Sequence, residues 1–279
     1  MNINSSTQKL RYNVPIEQVP GYMLTKNIIR GYRVGGTYTE CFWSNFRLHN
    51  ETVNAWTMLI STLIVMCSSY WFVTEHELKF EKSIGFIAFV SAYCLHLPFS
   101  FGYHTFMPIS AKVSNLWRKL DVCGIFLRAT MLTFATSYFV LPMWGTIVNT
   151  LVSLSIAIWG IQIFLNQPIH QPLNKFHQAL LIGSSVVCHY FPFYFVCLSD
   201  FIEMGIDCFS MTNSFRYCFG SSLSILIGGF CYAFGVPERF YTGTFDLLLN
   251  SHIISHIGII LCSIFEFLFL ADNCFKTTN

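Results

Sequence analysis

Residues 250–270 read NSHIISHIGIILCSIFEFLFL. About 20 consecutive, mostly apolar residues are enough for a helix to cross the hydrocarbon core of a bilayer, so this stretch decides the class of the fold. It also carries two imidazoles, His252 and His256. On a helix, residues i and i+4 lie one above the other, so both rings can face a single ion. The alternative use of such rings is an interhelical hydrogen bond.

The rest of the chain has the same character. Of its 279 residues, 53% are hydrophobic and 11% charged, against roughly a quarter charged in soluble domains. That composition predicts a polytopic membrane protein. The net charge of +2 is too small for a nucleic-acid partner. Many of the cysteines lie inside apolar runs (Cys67, Cys94, Cys123, Cys188, Cys231, Cys262), where they read as small hydrophobes and not as a disulfide framework. The first fifty residues are polar, without the early apolar core of a signal peptide.

Seven windows have spanning length: 53–73, 83–106, 120–141, 145–165, 178–199, 214–234 and 250–270. The alternating segments of about ten residues expected of a membrane barrel are missing. The expected fold is therefore all-α, a bundle of seven transmembrane helices over 49–271, between an N-terminal segment (1–48) and a short tail (272–279). Residues 1–40 show little periodicity and are expected to be partly disordered, with one short helix near the membrane.

Basic residues in short flanks set orientation. Lys9, Arg11, Lys26, Arg30, Arg33 and Arg47 precede the first span, and loops on the same face add Lys112, Arg118, Lys119, Lys175 and Arg239. The other face has Lys79, Lys82, Arg216 and Lys276. This bias predicts a cytoplasmic N-terminus and an extracellular or lumenal C-terminus. The sequons at Asn4 and Asn50 would then face the cytosol and stay unglycosylated.

Hydropathy places further polar residues at the depth of the two histidines. The second span ends with Ser100 and His104, and the third is expected to begin at the same face with Asp121 in its first turn. His104 with His252 and His256 would make a three-imidazole site, which leaves a fourth tetrahedral position for water, as catalytic zinc sites do. Zinc is the expected metal, although imidazole also suits copper, nickel and iron. Asp121 could orient a ligand or hold water, and Ser100, one turn before His104, could bond the same water. Arg128, a heptad beyond Asp121, must point into the bundle. An internal pair with Asp121 is expected, and a counter-ion to a lipid head group is the alternative.

Four blocks make the chain similar to the progestin and adipoQ receptor family. HNETVNAW (49–56) resembles its E-T-x-N-x-W block, SFGYHTF (100–106) its S-x-x-x-H block and LDVCGI (120–125) its L-D-Y-x-G-I block. PERFYTGTFDLLLNSHIISH (237–256) resembles its P-E-R-x-x-P-G-x-x-D-x-x-x-x-S-H-Q-x-x-H block. The resemblance implies a heptahelical bundle with zinc on His104, His252 and His256, and with Ser100 and Asp121 beside it. The wider superfamily includes alkaline ceramidases, which implies hydrolysis of a lipid amide as a possible activity. Thr242, Ile253 and Val122 depart from the pattern; the last two adjoin the site residues.

The functional expectation is a membrane receptor for a lipid or steroid-like ligand, acting with cytoplasmic signalling proteins. Alternatives are a receptor whose zinc is purely structural, and an endomembrane tether that works through its N-terminal segment. The plasma membrane is the expected location, and the Golgi or another endomembrane the alternative. Glu51 and Asn54 are read as fixing the start of the first span, Trp56 as an interfacial anchor, and the aromatic run 189–195 around Pro192 as kinked packing.

Overall fold

The computed structural model describes residues 9–167 and 175–276. The sequon at Asn4 lies outside them. Within them run seven long apolar helices: Thr52–Glu75, Phe80–Phe106, Ala111–Tyr138, Met143–Leu165, Lys175–Met204, Asn213–Phe234 and Ser251–Lys276. In hydrocarbon every backbone N–H and C=O needs an internal partner, and a helix supplies them all within one segment. The protein is a multi-pass membrane protein of seven spans.

Each span packs on the next in chain order, and the seventh closes the ring on the first. The third span is the least apolar and the most buried of the seven, and it touches the second, fourth, fifth and seventh. Side chains such as Tyr70, Trp144, Leu226 and Ile227 point outward from the bundle, as expected of helices bathed in lipid tails.

The third span differs from its expected start. Its helix begins at Ala111, where the Ser110 hydroxyl caps the Val113 amide at 3.2 Å. Asp121 therefore lies nearly three turns inside the helix, not in its first turn. Residues 111–119 carry Lys112, Ser114, Asn115, Arg118 and Lys119, so a hydropathy window does not register them, yet they belong to the same helix.

The described part of the N-terminal segment is packed. Arg11 and Val34 exchange backbone hydrogen bonds at 3.0 Å, and Val14, Val19, Met23, Ile28, Tyr32 and Val34 bury themselves against Met107. A short helix, Tyr38–Ser44, follows, started by a capping box between Thr37 and Glu40. This segment lies across the end of the bundle where the first, third and seventh spans begin and the second ends. Gly31, at φ +83°, lets the chain pass close to Asn50, where a Cβ would meet backbone.

The run 189–195 packs inward through Phe193, which stacks on Phe269 with ring centroids 3.9 Å apart, and Pro192 lies inside the fifth span.

Candidate metal centre

The seventh span starts where it does because its first amides are satisfied from outside the helix. Asn250 Oδ1 accepts from the Ile253 amide at 3.0 Å, and the buried Glu238 carboxylate accepts from the Ser251 amide at 2.7 Å and from its hydroxyl. An anion at this positive helix end is favourable. The first turns that follow carry His252 and His256.

Facing them from the last turn of the second span is His104, fully buried. Its ring centroid is 4.9 Å from that of His252 and 5.1 Å from that of His256, and the latter two are 5.0 Å apart. One ring nitrogen from each lies within 4.8 Å of the other two. Nitrogens sharing a tetrahedral zinc at about 2.0–2.1 Å stand roughly 3.4 Å apart, a contraction that side-chain rotation can supply.

The donor set fits such an ion. His104 Nδ1 is 2.8 Å from Glu51 Oε2, while its Nε2 is buried with no hydrogen-bond partner. A buried ring nitrogen without a partner is costly, and this one lies among two other imidazoles. Three neutral nitrogen donors without a thiolate suit zinc in the arrangement that keeps a position open.

The other expected site residues are placed as follows. Ser100 is buried one turn before His104. Asp121 is buried with Oδ1 3.0 Å from His96 Nε2, and it interacts electrostatically with His104 and His252. Arg128 is not its partner. That guanidinium lies 4.2 Å over the Tyr93 ring, and the Tyr93 hydroxyl donates to Glu266 at 3.0 Å. The pairing with Asp121 inferred from spacing thus fails, because His96 from the second span reaches the carboxylate instead.

His96 went unnoticed in the sequence, although it sits two turns before His104 and so shares its helix face. The Tyr232 ring also borders the site, 5.3 Å from His252.

The N-terminal segment closes over this end. Arg33 is buried and donates to the His104 carbonyl at 2.8 Å and to the Ser44 hydroxyl. Burial lowers its pKa to about 10, so it remains charged at neutral pH. Asp246 accepts from the Ile29 amide and from Arg30 Nε at 3.1 and 3.2 Å. Between segment and bundle runs a narrow polar cleft, lined among others by Thr25, Glu51, Asn54, Glu238 and His252. Its free volume of about 10 Å³ is roughly that needed for a single water molecule.

The sequence profile of the haemolysin-III related family matches residues 46–267. The chain belongs to that family. Among curated proteins, it is 25% identical over 304 aligned residues to progestin and adipoQ receptor-like protein 1 of Caenorhabditis elegans, covering 99% of this chain and 64% of the relative. It is 28% identical to the adiponectin receptor protein of Drosophila melanogaster, over 80% of this chain and 50% of that one. With membrane progestin receptor gamma-B of Danio rerio the identity is 24%, over 92% and 81%. The chain thus spans half to just under two thirds of the length of the first two relatives. These matches bear out the family read from the four sequence blocks.

Proposed function

We propose that the protein is a membrane receptor for a lipid or steroid-like ligand, built around a zinc ion on His104, His252 and His256. The observation that carries this reading is the unpartnered, buried Nε2 of His104 among two further imidazoles. The similarity to membrane progestin receptors supports the ligand class. The basic bias of the flanks supports a cytoplasmic N-terminus, and with it signalling partners on that side. The plasma membrane is the location we assign.

Hydrolysis of a lipid amide is a second reading, favoured by the buried Asp121–His96 pair within electrostatic reach of the imidazoles. Bound zinc would supply Lewis-acid polarisation of a carbonyl and a lowered pKa for water. The chain would supply the rest: three imidazoles to hold the ion, Asp121 to take a proton from water, and a polar cleft that admits water to the centre. Ser100 would hold that water from the adjacent turn.

Metal analysis of the purified protein, run with product detection on a panel of ceramides and acyl amides, tests both readings. His104→Ala, His252→Ala and His256→Ala should each lose zinc and unfold at lower temperature, since an ion bound only by the native state stabilises it. Stoichiometric zinc in all three variants would end the proposal. Asp121→Asn should keep zinc and lose about 10²–10⁴-fold in amide turnover. A wild type without turnover, with normal signalling by Asp121→Asn, would leave the receptor reading and remove the enzymatic one.

A further inference from the structure

The block Glu51-Thr-Val-Asn-Ala-Trp-Thr57 opens the first span, and Glu51 occupies the helix N-cap. Glutamate is not among the favoured capping residues, and the Glu51 side chain makes no capping bond. It turns instead toward the histidines. Oε2 takes the hydrogen bond from His104 Nδ1 at 2.8 Å and another from Asn54 Nδ2 at 2.8 Å. A carboxylate can only accept, so His104 carries its proton on Nδ1. The lone pair is thereby left on Nε2, the buried nitrogen that has no partner.

Thr57 does the same for a second ligand. Its hydroxyl lies 2.9 Å from His256 Nδ1 and 2.9 Å from the Asn54 carbonyl. A hydroxyl has one proton to give, and a carbonyl can only accept it. With that proton given to Asn54, His256 Nδ1–H donates to the threonine oxygen. His256 also presents Nε2. Asn54 ties the two supports together, bonding Glu51 through its side chain and Thr57 through its carbonyl.

We infer that Glu51 and Thr57 are positioning residues for the metal centre, fixing His104 and His256 in the tautomer that offers Nε2 to the ion. This rests on the reading that the three imidazoles hold a metal. Glu51 has an additional effect. It places a negative charge one hydrogen bond from a neutral donor set, which offsets the ion's charge and makes the His104 ring a stronger donor. Thr57 contributes orientation alone. The two supports should therefore differ in kind: removing either weakens binding, but only Glu51 alters the electronic character of the ligand.

Loss of such supporting partners typically weakens metal binding about 10–100-fold. The test uses the full chain, purified and stripped of metal, with zinc affinity measured by competition against a chromophoric chelator. The visible spectrum of the cobalt(II)-loaded form serves as a second readout. Glu51→Gln and Thr57→Val should both bind zinc about 10–100-fold more weakly than wild type, and Glu51→Gln should also shift the cobalt bands. A purely structural role would lower the melting temperature of the metal-free protein while leaving affinity and spectrum alone, and that result overturns the inference. If Glu51→Gln fails to fold, Thr57→Val decides, because it keeps the side-chain shape and removes the hydroxyl that meets His256 Nδ1 and the Asn54 carbonyl. Wild-type affinity in Thr57→Val would then overturn the inference. Failure of the wild type to bind zinc or cobalt at all is a separate outcome: it overturns the metal centre itself, and the supports with it.

Discussion

Glu266 sits inside the bundle with both oxygens engaged. Oε1 meets His189 Nε2 at 2.7 Å and the Cys262 thiol at 3.1 Å, and Oε2 accepts from the Tyr93 hydroxyl whose ring carries Arg128. Removing one member of a buried charge-balanced group costs about 3–5 kcal/mol, because the other charge stays buried and uncompensated. Glu266→Ala should therefore lower the melting temperature in detergent sharply, and adding Arg128→Met should recover much of the loss. Equal stability of Glu266→Ala and wild type would show that the two charges do not depend on each other. At this scale the sequence was half legible. Arg128 announces itself as an ion inside a membrane span, but its partner depends on how three helices are rotated, which depth along a span does not encode. The same limit hid the bond between Asp121 and His96.

The sixth and seventh spans meet through small residues. A Cβ on Gly258 would lie 2.7 Å from the Ser224 carbonyl oxygen, and one on Gly228 would lie 3.1 Å from Ser255 Cα. Membrane helices approach this closely only where side chains are small. Gly258→Ala should cost about 1–3 kcal/mol in overpacking and weaken metal binding, because the contact lies half a turn from His256. Unchanged stability and zinc affinity would mean that the spans separate freely at this point. The N-terminal segment makes a second element. Burial, aided by the Arg33 charge, lowers the His49 pKa from 6.5 to about 2. An unfolded His49 takes a proton below about 6.5 and the folded one does not, so stability falls as pH drops through that interval. Protease susceptibility of residues 9–48 should rise between pH 7.5 and 5, and His49→Gln should flatten the rise. A slope unchanged by His49→Gln would assign it to other groups. All seven spans were readable from hydropathy. The packed N-terminal segment was not, since its few apolar residues follow no helical or strand period and are buried against one another and against Tyr103 and Met107 at the end of the second span.

For the whole molecule, seven spans put the two ends of the chain on opposite faces of the membrane. A tag at residue 2 should be protected in intact cells and one after Asn279 accessible from outside, or from the lumen in isolated vesicles. The reverse pattern would turn the histidine cluster toward the other compartment. The cluster itself was foreseeable because hydropathy fixes depth, and His104, His252 and His256 share one depth even though the second and seventh spans are far apart in sequence.

That separation has a consequence for biosynthesis. His104 leaves the ribosome early, but its two companions emerge only with the seventh span, after four intervening helices have been inserted. A nascent chain stopped anywhere before residue 252 holds one imidazole of the three. The centre can form only once the seventh span has been made, so a quality-control protease would find every product stopped short of that span without it.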